Sequence, residues 1–202
     1  MAQKKSSRVV IYALFRIAGF VIFILPIRFG LLLGQYLGKI GFYALKKTRN
    51  QALGNLDIAF GGSKSAEEKR FIARQVFENL GKNFVEVVSL SKFNKDNIDG
   101  YIACRGIETI ERIIRQGKGG IVLSGHFGNW ELMAHYFAIK GYKVNVIARR
   151  VRMERFEDFL AKARKRNGVN VLHRDASAKD VIALLKKNEF VGIMPDQDMD
   201  GI

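Results

Sequence analysis

Gly120-Ile121-Val122-Leu123-Ser124-Gly125-His126-Phe127-Gly128-Asn129-Trp130-Glu131 sets the character of the chain. Residues 120–124 form a short apolar run of strand length. Gly125 and Gly128 permit a tight turn, and Asn129 is a good helix N-cap for the segment that follows. The stretch therefore reads as strand, turn and helix. A histidine sits in the turn and a carboxylate in the first helical turn.

The same alternation runs outward from it. Residues 98–104, 121–124, 143–148, 169–172 and 190–194 have strand character. Residues 107–116, 129–140, 153–167 and 176–187 have helical spacing. Gly or Asn punctuates the joints, as at Gly117, Gly141, Asn167-Gly168 and Asn188. Alternating β and α elements predict an α/β fold, with a mostly parallel central sheet and flanking helices. In such sheets ligands bind beyond the carboxyl ends of the strands. His126, Arg149, Arg150, His173, Arg174 and Asp196 all fall there. Upstream, Ser65 and Glu68 have the spacing of a capping box for a helix running to about Leu90.

The chain has 202 residues, 48% hydrophobic and 26% charged, with a net charge of +15. A core of useful size is affordable at this length. The charge calls for an anionic partner, either nucleic acid, acidic lipid or an acidic protein. One cysteine, Cys104, excludes an internal disulfide and a thiolate zinc cluster. It lies in an apolar run and reads as a buried strand residue.

The N-terminus favours lipid over nucleic acid. Residues 9–25 are almost wholly apolar, interrupted by Arg16. As a helix they reach about 26 Å, against about 30 Å of bilayer hydrocarbon. Arg16 would cost about 2.5–3.5 kcal/mol at the centre of a lone spanning helix. Pro26 breaks or kinks the helix. Residues 29–45 form a second apolar stretch, with Gly30, Gly34 and Gly38 on one face where another helix can approach closely. No small-residue cleavage site follows the first stretch, which argues against a removable signal peptide. The expectation is a pair of N-terminal hydrophobic membrane-anchoring helices, spanning or lying in the interface. A buried helical hairpin is the plainer alternative. The domains expected are an anchor at 1–49 and an α/β catalytic domain at 50–202, the latter cut short at its C-terminus.

Positions i and i+5 lie about 140° apart on a regular helix and do not meet. His126 and Glu131 can pair only with the histidine in the turn. A carboxylate on one ring nitrogen leaves the other free to accept a proton, and such general-base help is worth about 10²–10⁴ in rate. Backbone N–H groups of residues 127–130 are candidates for binding a developing oxyanion.

His126-Phe127-Gly128-Asn129-Trp130-Glu131 resembles the H-x4-D/E motif of glycerolipid acyltransferases, in the form found in the late acyltransferases of lipid A biosynthesis. The likeness includes the apolar N-terminus, Arg164-Lys165-Arg166 and Pro195-Asp196-Gln197-Asp198. It implies enzymes of the inner membrane whose catalytic domain faces the cytoplasm. They move a fatty acyl chain from acyl carrier protein to a hydroxyl of a phosphorylated glycolipid. By this resemblance His126 is the base and Glu131 its partner, and Arg164 and Asp196 match positions important for activity. Arg149 matches a family arginine, flanked here by Ala148 and Arg150. Arg149, Arg164 and Arg166 have the donor geometry for phosphate. With Asn129 and Asp196 they form the expected substrate-binding set. No cofactor or metal is required, and acyl carrier protein, being acidic, suits a basic surface.

Two metal readings of the C-terminal acids are weaker. Asp196-x-Asp198 resembles the cation site of nucleotide-sugar glycosyltransferases but leaves His126 without a task. The Asp196-x-Asp198-x-Asp200-Gly201 spacing of an EF-hand lacks the preceding helix. His135 and His173 read as structural. A related acyltransferase with another acceptor, and a non-enzymatic basic membrane-binding module, remain as alternatives.

Overall fold

The computed structural model describes residues 19–148, 154–173 and 178–197. The chain divides into two compact units, Met1–Ser89 and Leu90–Ile202. The sequence suggested a division after Arg49. Residues 50–89 group with those before them in the first unit.

The first unit is helical. After a helical stretch at 19–24, Pro26 precedes α1 (Ile27–Ala44). Then come α2 (Lys46–Phe60) and α3 (Ala66–Val88). The capping box is present: Glu68 N–H donates to Ser65 Oγ at 3.2 Å, and Ser65 N–H to Glu68 Oε2 at 2.7 Å. Gly30, Gly34 and Gly38 are buried against α3. A Cβ at Gly34 would stand 2.5 Å from the Gly81 carbonyl oxygen, and one at Gly38 2.2 Å from that of Phe77. Only glycine allows two helix backbones this close. Gly81, which interrupts the periodicity of α3, answers from the other side, since its Cβ would stand 2.0 Å from the Gly34 carbonyl oxygen. Phe42 packs edge-to-face on Phe77, with Ala73 beside them. Lys69 ties α3 to α2 through Asp57 and the Gly61 carbonyl, both at 2.7 Å.

Among the described residues no helix is long and apolar enough to cross a membrane. Most of the first expected anchor, residues 9–18, lies outside them. The second expected anchor is α1, which does not qualify as a span.

The second unit carries α4 (Ile107–Arg115), β1 (Gly120–Leu123), α5 (Trp130–Ile139) and β2 (Val144–Ala148). It continues through α6 (Glu154–Arg166), β3 (Val169–His173), α7 (Ala178–Lys186) and β4 (Phe190–Ile193). The four strands form one sheet in the order β1-β4-β2-β3, and every pairing is parallel. The expected α/β architecture is thus present. Its core includes Leu132 and Ile139 of α5, Leu160 of α6, and Phe190 and Val191 of β4. A polar ladder crosses the sheet at Asn145. Its amide donates to the Phe190 carbonyl at 3.1 Å and accepts from Asn170 Nδ2 at 2.7 Å.

One expected strand is absent. Residues 98–104 form a short 3-10 turn, Ile98–Gly100, and then irregular chain. The turn chemistry just upstream overrides the apolar run. Asn94 Oδ1 accepts from Asp96 N–H at 2.9 Å, and Asn97 Oδ1 accepts from Asn94 N–H at 2.9 Å. Ile98 is fully buried without joining a ladder. Cys104 is accordingly half-buried in irregular chain rather than in a strand.

Candidate active site

The parallel pairing of β1 with β4 builds the site. Leu123 lies opposite Ile193, and Ser124 N–H extends the ladder to the Ile193 carbonyl at 2.9 Å. Each chain then runs three residues further and presents a polar side chain, His126 on one and Asp196 on the other. His126 N–H donates to Asp196 Oδ2 at 2.8 Å. The ring nitrogen Nδ1 lies 2.9 Å from Asp196 Oδ1. A carboxylate only accepts, so Nδ1 carries the hydrogen, and in the neutral ring Nε2 holds the lone pair. Asp196 is held below the usual carboxylate range, first by the backbone N–H of His126 and then by its ring.

The turn holds the ring in place. Phe127 N–H closes on the Gly125 carbonyl at 2.7 Å. Gly128 has φ +64°, a left-handed conformation that favours glycine. Asn129 caps α5 by accepting from Leu132 N–H at 3.0 Å. The Trp130 ring stands edge-on to the imidazole, with centroids 4.9 Å apart.

Glu131 faces elsewhere. Arg164 Nε donates to its Oε2 at 2.9 Å and Arg164 Nη2 donates to its Oε1, a two-pronged pair between α5 and α6. Both side chains are buried. Burial works against the Arg164 charge, yet the hydrogen bond and charge of Glu131 raise its pKa above the ordinary arginine value. His135 adds a second link between these helices. Its Nδ1 lies 2.7 Å from the Glu131 carbonyl oxygen and its Nε2 3.2 Å from that of Ala163.

The pairing read from the sequence, His126 with Glu131, is therefore corrected. The structure brings Asp196 to His126 and Arg164 to Glu131. Two expected substrate contacts change with it. Arg164 is 7% exposed and committed to Glu131, so it does not face a phosphate. Asp196 serves the histidine. Asn129 is occupied as a helix cap, and Arg166 is exposed in the last turn of α6. Arg149 lies outside the described residues, as do Asp198 and Asp200. The N–H groups of His126 and Phe127 are already used, which removes Phe127 from the expected oxyanion donors. Sequence reasoning missed the His126–Asp196 partnership. The available signal was their equal offset past two strand ends.

Beneath α5 lies a small apolar cavity lined by Val122, Met133, Phe137, Val146 and Phe190, among others. It suits a hydrocarbon group.

The sequence pattern of the family described as bacterial lipid A biosynthesis acyltransferase matches residues 1–201. The chain is 25% identical over 166 residues to the lipid A biosynthesis palmitoleoyltransferase of Escherichia coli (strain K12), covering 82% of this chain and 53% of that one. The lipid A biosynthesis acyltransferase of Shigella flexneri matches to the same extent. The lipid A biosynthesis lauroyltransferase of Escherichia coli (strain K12) is 26% identical over 167 residues, again 82% and 53% of the two chains. The chain spans about half the length of these relatives.

Proposed function

This chain belongs to the bacterial lipid A biosynthesis acyltransferase family, and from that premise we propose that it transfers a fatty acyl chain from acyl carrier protein to a hydroxyl of a phosphorylated glycolipid. The observation that carries the reading is the His126–Asp196 pair at the carboxyl ends of β1 and β4. His126 Nε2 takes the proton of the acceptor hydroxyl as the oxygen attacks the thioester carbonyl. Asp196, ionised well below neutral pH, fixes the tautomer and stabilises the imidazolium that forms. The thiolate of the carrier protein leaves and recovers a proton from the imidazolium. The N–H groups of Trp130 and Glu131, in the first turn of α5, serve as oxyanion donors.

Glu131 and Arg164 support the site from beneath. Their pair locks α5 to α6 and so fixes the helix whose first turn carries the His126 loop. Arg166, exposed on α6, is left to meet the acceptor phosphates, and Arg149, outside the described residues, is assigned the same task from its place in the sequence. The reaction belongs at the cytoplasmic face of the inner membrane. The outward apolar face of α1 and the high positive charge both suit a lipid surface.

The test is mass spectrometry of a phosphorylated glycolipid acceptor incubated with the protein and an acyl carrier protein thioester. One acyl increment is expected with wild type. His126→Ala should reduce it by about 10²–10⁴-fold. Undiminished transfer by that variant would remove His126 from the chemistry.

A further inference from the structure

Residues 1–56 hold nine Lys or Arg and no Asp or Glu. Within this segment α1 has two unlike faces. One, through Gly34 and Gly38, is buried on α3. The other exposes Phe29, Leu32 and Tyr36, each 63%, followed by Ile40 and Tyr43. These five recur at three- and four-residue spacing, so they form one continuous apolar stripe. Tyr43, at its end, stacks edge-on against buried Phe42, with centroids 5.3 Å apart.

Phe42 is also where two cations gather. The Arg49 guanidinium lies 5.6 Å from its ring centroid and that of Arg70 5.4 Å. Nearby cations on α3 are neutralised: Lys69 by Asp57 at 2.7 Å, and Arg74 by Glu78 at 3.4 Å. Arg49 and Arg70 have no carboxylate partner among the described residues. Arg49 Nε is buried without any hydrogen-bond acceptor, and Nη1 reaches only the Phe42 carbonyl, at 3.4 Å. Lys46 and Lys47, just before Arg49 in sequence, stand exposed at the start of α2. Arginine on an aromatic face is held in orientation, and its outer Nη groups can still reach a phosphate.

We propose that this corner is a headgroup site, in which Arg49 and Arg70 take the phosphate of an anionic phospholipid while the bilayer receives the outward stripe of α1. The occupant is a lipid surface because the cations stand at the end of an apolar stripe. A free phosphate would make no use of that stripe. The site lies wholly in the first unit. It deepens the membrane part of the proposed function and is independent of the chemistry at His126.

The experiment is co-sedimentation of the whole chain with vesicles of phosphatidylcholine alone or mixed with phosphatidylglycerol. Wild type is expected to prefer the anionic vesicles, with inorganic phosphate a poor competitor. R49Q/R70Q should lose about thirtyfold in affinity, as expected for two surface cations, and R49K/R70K should lose less. Because both arginines also pack on Phe42, the wild-type chain supplies a second readout, phenylglyoxal modification mapped by peptide mass. Anionic vesicles should protect Arg49 and Arg70, and phosphatidylcholine vesicles should not. Indifference of wild type to both vesicles would overturn the membrane reading. Anionic binding unaltered in R49Q/R70Q, with neither arginine protected, would overturn the headgroup site alone. Equal competition by inorganic phosphate would assign the corner to a free anion instead.

Discussion

Two carboxylate pairs anchored in the same twelve-residue stretch behave as opposites. His126 and Asp196 meet at the open ends of two strands, with side chains 27% and 42% exposed. Glu131 and Arg164 meet between two helices, with side chains 11% and 9% exposed. An exposed pair contributes little to stability and remains free to exchange protons. A buried, two-pronged pair is rigid, and removing one partner strands a charge in a poor solvent. On the proposed function the motif divides its labour: its histidine is kept for chemistry and its carboxylate for architecture.

The contrast can be broken at several points. Glu131→Ala leaves Arg164 buried and uncompensated, and about 3–5 kcal/mol of stability should go, read by denaturant unfolding. A loss below about 1 kcal/mol would place the pair in solvent. Replacing both partners, as E131L/R164M, should restore most of that loss, because apolar residues of similar size often match or exceed a buried pair. Asn129→Ala removes the cap of α5 and should cost about 1 kcal/mol in the same measurement. An unchanged midpoint would show that the cap does not hold the turn.

The smallest effect is electrostatic. Asp196 has a depressed pKa in the folded protein, so its contribution is complete above the ordinary carboxylate value of about 3.9. It is lost only as the pH falls through the lower, folded value. The ¹³C carboxyl resonance of Asp196 should therefore titrate below the usual range. In His126→Ala it should move only part of the way back, since the largest cause is the backbone N–H, which alanine retains. A full return would assign the shift to the ring.

The sequence revealed elements more readily than partners. Ser65 and Glu68 announced the start of α3, and Gly30, Gly34 and Gly38 announced a close helix contact, because these signals act within a few residues. Glycines at Gly117, Gly141 and Gly168 marked element ends and do adopt positive φ. The strand order was not legible, since nothing local states that β4 inserts between β1 and β2. That insertion places Asp196 beside His126, seventy positions away. Likewise Glu131 found Arg164 rather than the nearest histidine, because α6 packs beside α5. The apolar residues 98–104 misled in the other direction: burial of Ile98 needs no strand when asparagine side chains hold the turn.

In the proposed mechanism Asp196, not Glu131, is the working partner of His126. Acyl transfer by D196N and by E131L/R164M, each normalised to its folded fraction, tests it most directly. D196N is expected to lose at least about a hundredfold, the lower end of general-base assistance, and the double variant to turn over within about tenfold of wild type. Near-normal turnover in D196N, with loss in a folded E131L/R164M, would contradict it.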